Sequence, residues 1–130
     1  MPRRVEDWIR QAEKDLQHAK NSVDTGDFEW SCFAAQQAAE KALKALFQHL
    51  GGEFFGHSLL KMLHELPDNV KPEEALFEAG IDLDKLYIPT RYPNSFDWGA
   101  PLDYFKVEDA EKAVKDAERI LSFVRSKVSE

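Results

Sequence analysis

An all-α fold, an antiparallel up-and-down bundle of four to five helices, is predicted by three observations. Apolar residues recur at spacings of three and four through the first fifty residues and again through the last twenty-odd, and no period-two alternation longer than a few residues occurs anywhere. The 130 residues suit one domain, and 43% hydrophobic content with only 6 Gly and 6 Pro excludes collagen-like, low-complexity and wholly disordered chains. Residues 1–130 are therefore expected to form a single helical domain.

The first helix is expected near residues 4–24, where Trp8, Ala12, Leu16, Ala19 and Val23 define one face. Thr25, Gly26 and Asp27 interrupt that pattern, with Asp27 suited to cap the next helix by accepting a first-turn amide hydrogen. The second helix, near 27–50, carries Phe28, Cys32, Ala35, Ala39, Leu43, Leu46 and Leu50 on one stripe, and Gly51-Gly52 stops it. Its alanines permit close backbone approach, so the two helices should form an antiparallel hairpin.

A shorter helix near 58–66, capped by Ser58 or His57, holds Leu59, Leu60, Leu63 and Leu66 before Pro67 ends it. Pro72, Glu73 and Glu74 open short helical pieces between 72 and 88. From Tyr87 to Lys106 periodicity disappears, yet six aromatics are mixed with Pro89, Pro93, Gly99 and Pro101, so this long loop should be ordered against the bundle. Val107, Ala110, Val114, Ala117, Leu121, Val124 and Val128 then make a seam over a last helix near 107–128.

Charge narrows the function classes. A net −7 argues against non-specific clamping of a phosphate backbone, and residues 65–86 alone carry seven acids against Lys71 and Lys85. The single Cys32 can form no internal disulfide and reads as core, which fits a reducing, cytoplasmic setting. No apolar stretch is long enough to cross a membrane, and Pro2, Arg3 and Arg4 precede an amphipathic rather than a signal-peptide pattern.

Phosphate loops of the GxxxxGK type, HExxH, DxDxDG and paired-cysteine motifs are absent. None of His18, His49, His57 and His64 stands four residues from another; His57 and His64 can share a helix face, but surface or cap roles are the plainer reading, and no metal or cofactor is expected. Glu74 with Glu78 reads as a solvated acidic face. The segment from Thr90 to Trp98 is the best site candidate: Arg91 can offer a fork to phosphate, Asn94 and Ser95 can hydrogen-bond a base or sugar, and Tyr92, Phe96 or Trp98 can stack. The competing reading makes those aromatics core and pairs Arg91 with an acid. Lys41 and Lys44, three apart on the second helix, share a face that can add positive charge.

The run from Ala34 to Leu46 (AAQQAAEKALKAL) resembles the second-helix signature of the HEPN domain (higher eukaryotes and prokaryotes nucleotide-binding). His57-Ser58-Leu59-Leu60 is similar to the start of its third helix, Thr90-Arg91-Tyr92-Pro93 to its loop motif, and the stretch from Val107 to Ala113 with Ile120, Leu121 and Val124 to its last helix. The resemblance implies a homodimeric helical bundle, often encoded beside a minimal nucleotidyltransferase in prokaryotic toxin–antitoxin pairs, that binds nucleotide or RNA. Many members are metal-independent ribonucleases using an Arg followed by four to six residues and a His. Arg91 matches the Arg, but Phe96, Asp97 and Trp98 occupy the positions where His would fall. Because such cleavage needs a group that exchanges a proton near neutral pH, a non-catalytic binding protein with Arg91, Tyr92, Asn94, Ser95, Lys41 and Lys44 at its site is expected. The alternative is a ribonuclease in which Asp97 or His57 moves the proton beside Arg91.

Overall fold

Small residues bring the first two helices together. In this computed structural model, which describes residues 4–129, α1 spans Val5–Thr25 and α2 spans Phe28–His49. Ala12 and Ala19 of α1 and Ala35, Ala38, Ala39 and Ala42 of α2 are fully buried, and side chains this small let two helix backbones approach. The Ser31 hydroxyl donates to the Ala19 carbonyl across the pair at 2.7 Å. Gly26 turns the chain with φ +80°, a conformation that a side chain would strain, and the amides of Gly26 and Asp27 donate back to the Val23 and Ser22 carbonyls. Asp27 occupies the N-cap position of α2 without capping it; its carboxylate accepts the Thr25 hydroxyl at 2.7 Å instead.

Four further helices complete the order: α3 (Leu59–Glu65), α4 (Glu74–Asp84), α5 (Pro101–Tyr104) and α6 (Val107–Val128). No strand occurs among the described residues, so the predicted all-α bundle is the observed fold. Six α-helices occur among the described residues, one more than the upper expectation, because the loop before α6 winds into the single turn of α5. Ala110, Val114, Ala117, Leu121 and Val124 of α6 are buried as their spacing predicts, and α6 packs along α2 and against α1 and α4. Ala113 and Ile120 widen that stripe beyond a two-position seam. None of the described helices is long and apolar enough to cross a membrane, and the reading of Pro2 and Arg3 lies outside the described residues.

Two segments differ from expectation. Residues 72–88 hold one eleven-residue helix rather than short pieces, preceded by a 3-10 turn at Asp68–Val70. Pro72 stands outside that helix, and Leu76, Ala79, Gly80 and Leu83 form a continuous buried stripe that docks α4 on α3 and α6. The loop from Tyr87 to Lys106 is only partly anchored. Phe105 packs on the core and Phe96 stacks on Tyr104 at 4.0 Å, yet Trp98 is 78% exposed. Tyr87 and Tyr92 meet the Arg91 guanidinium, so most of the loop aromatics pack on one another or on polar groups rather than fill the core.

Candidate functional site

Arg91 is held by the turns that follow α4. Its amide donates to the Ile88 carbonyl at 3.0 Å, and the buried Thr90 hydroxyl donates to Leu86. The guanidinium donates from Nε and Nη2 to the Tyr87 carbonyl at 3.0 and 2.8 Å, so one edge of its fork is already used. It lies 4.2 Å from the ring centre of Phe33 on α2, 4.7 Å from Tyr87 and 5.1 Å from Tyr92. Such contacts hold an arginine while leaving its charge uncancelled. Among the described residues no carboxylate pairs with Arg91. The competing sequence reading, an ion-paired Arg91, is not what the structure has.

A second group meets the same ring. Gly56, at φ +117°, turns the chain so that His57 stacks on Tyr87 with centroids 4.5 Å apart. His57 Nδ1 lies 3.2 and 3.1 Å from the two carboxylate oxygens of Glu40. Glu40 is almost wholly buried in α2, where Gln36 Nε2 and Lys44 Nζ also donate to it, each at 3.1 Å. A carboxylate on Nδ1 fixes the imidazole's orientation and leaves Nε2 as the working nitrogen. The Lys44 ammonium also lies 5.8 Å from the ring centre of Trp8 on α1. One continuous array thus runs Trp8, Lys44, Glu40, His57, Tyr87, Arg91 and Phe33.

The structure joins Arg91, Tyr92, His57 and Lys44 in this array and separates others from it. Lys41 turns to α1, where it pairs with Asp15 and lines a cavity of about 250 Å³ with Arg4, Asp7, Trp8 and Gln11. Asn94 and Ser95 lie exposed in a 3-10 turn, Pro93–Ser95. Asp97 is exposed, without a hydrogen bond or ion pair among the described residues. His64 packs at a tilt against Phe77 rather than joining His57, and no cluster able to hold a metal ion occurs among the described residues. Cys32 is fully buried; burial first, and the charges of Asp109 and Glu29 second, push its thiol up to about 12, so it is no nucleophile at neutral pH.

Sequence reasoning did not single out Glu40, Tyr87, Phe33 or Trp8 as site residues. A signal for Glu40 was present: Gln36 and Glu40 are polar residues four apart on an otherwise apolar face, and a buried carboxylate needs partners.

The chain matches the HEPN domain over residues 5–127 and belongs to that family. It is 29% identical over 132 residues to a Methanocaldococcus jannaschii protein named "Putative toxin MJ1304", covering 95% of this chain and 87% of that one. Among solved structures it is similar to TT1696 from Thermus thermophilus, with 46% identity, a TM-score of 0.94 and coverage of 97% of this chain and 99% of that one. It is likewise similar to ST0689, described as an archaeal HEPN homologue, with 41% identity, a TM-score of 0.81 and coverage of 98% and 99%.

Proposed function

We propose that this HEPN protein binds a nucleotide or RNA phosphate at Arg91 without cleaving it, and that it works in the cytoplasm as a single-domain homodimer beside a minimal nucleotidyltransferase in a toxin–antitoxin-like pair. The observation that carries the reading is the state of Arg91, a cation held among three aromatic rings with no carboxylate partner among the described residues. Its Nη1 remains to donate to a phosphate oxygen, and the exposed Tyr92 and Trp98 offer faces for a base. The name of the Methanocaldococcus jannaschii relative supports the toxin side of the pairing.

A second reading, a metal-independent endoribonuclease, is favoured by the Glu40–His57 pair. In that reaction the imidazole takes the proton of a 2′-hydroxyl, the 2′-oxygen bonds to phosphorus as the P–O5′ bond breaks, and a protonated group returns a proton to the 5′-oxygen. The arginine steadies the added charge on phosphorus. Incubating RNA with the purified protein in EDTA separates the two. Intact RNA supports the binding reading; cleavage that both Arg91→Ala and His57→Ala abolish replaces it with the second.

A further inference from the structure

Lys44 and His57 meet on one buried carboxylate. The two oxygens of Glu40 are reached by Lys44 Nζ and Gln36 Nε2, each at 3.1 Å, and by His57 Nδ1 at 3.1 and 3.2 Å. Glu40 is the only acid paired with Lys44 among the described residues. The lysine side chain is itself largely buried, with its ammonium 5.8 Å from the Trp8 ring centre, so its charge is fixed beside Glu40. A buried carboxylate needs a counter-ion, and once Lys44 supplies it a second cation on the same group is repelled by the first. His57 can still make its hydrogen bond there as a neutral imidazole, donating Nδ1–H.

The charged groups near His57 on other elements supply no further counter-ion. Asp84, at the end of α4, accepts the Ser58 hydroxyl and the first two amides of α3. Arg91 lies against Tyr87, the ring on which His57 stacks, and adds positive charge. Both Lys44 and Arg91 therefore oppose a proton on the imidazole, and Glu40 favours one.

We propose that Lys44 is a positioning residue that sets the proton state of His57: by serving as the counter-ion of Glu40 it leaves the imidazole to bond there uncharged, with Nε2 free to accept a proton beside Arg91. His57 becomes the second cation of the site only in acid, or when Lys44 is drawn away. The effect of that charge on a ligand rests on Arg91 holding phosphate; the proton state itself does not.

The test is an NMR titration of the imidazole Cε1–H signals, the His57 signal being assigned with His57→Gln, on wild type, Lys44→Met, Lys44→Arg and Glu40→Gln, each checked for native circular dichroism. The expected result is a His57 midpoint about one pH unit or more higher in Lys44→Met, restored by Lys44→Arg and lowered by Glu40→Gln. An unchanged or lower midpoint in Lys44→Met overturns the proposal. So does a midpoint in Lys44→Arg as high as in Lys44→Met, which would make the loss of packing rather than of charge the cause. Binding of the thymidine dinucleotide TpT, which keeps its charge across this range and lacks the 2′-hydroxyl needed for cleavage, is measured over the same pH values. Its affinity should rise as pH falls through the His57 midpoint, and should do so at higher pH in Lys44→Met. A shifted titration without any TpT response supports the role of Lys44 and counts against phosphate at Arg91.

Discussion

At the scale of single residues, position in the bundle decides which groups can react. Cys32 lies on the buried stripe of α2, and its thiol, moved from 9.0 up to about 12, stays protonated at pH 8. Iodoacetamide at pH 8 should therefore leave the native protein unmodified and label it only after unfolding in guanidinium; labelling of native protein at the unfolded rate contradicts this. The same burial makes Glu40 a fixed acceptor for Gln36, Lys44 and His57 rather than a surface acid. Arg91 was legible in the sequence because it stands alone among aromatics in a loop. Tyr92, one residue on, was legible with it; Phe33 and Tyr87 were not, because Phe33 comes from α2 and the Tyr87 ring meets His57 across thirty residues of sequence, and no local pattern announces such meetings.

At the scale of elements, spacing revealed α1, α2 and α6 because each buries a stripe along nearly its whole length. The identity of α4 as one helix was hidden because its stabilising contacts are tertiary. Gly80 leaves room for α3, since a Cβ there would lie 2.9 Å from Leu63 Cδ1. At its C-terminal end, Asp84 accepts the amides of Leu59 and Leu60 at 2.7 and 3.1 Å and the Ser58 hydroxyl at 3.1 Å. Asp84→Ala should therefore cost about 1–2 kcal/mol, seen as a lower urea midpoint at unchanged slope. On the other side, Lys112 of α6 bridges Asp82 of α4 and Asp116 of its own helix at 2.8 and 2.7 Å. Those hydrogen bonds raise its pKa above 10.5. Because the folded state holds this proton more tightly, the bridge stabilises at neutral pH and the contribution is lost as pH rises past 10.5. Lys112→Met should lower Tm at pH 7, by a modest amount because the ammonium is more than half exposed, and the difference from wild type should shrink in alkali.

At the scale of the whole molecule, exposed apolar side chains concentrate in one stretch of the sequence. Ile88, Tyr92, Trp98, Leu102 and Tyr104 are all exposed within residues 88–104, with Trp98 at 78% and Leu102 at 67%. Exposed apolar groups supply the area that association buries, and these flank Arg91 in sequence. Light scattering at micromolar concentration should give about twice 14.9 kDa; a mass of one chain contradicts the homodimer. Function in this molecule turns on whether Arg91 presents its charge to phosphate. An anisotropy titration of a labelled four-nucleotide RNA in EDTA, comparing wild type with Arg91→Ala, decides that point. Wild type should bind saturably and leave the RNA intact, and the variant should bind about tenfold to a hundredfold more weakly. Equal affinity for the two proteins would show that Arg91 holds no phosphate.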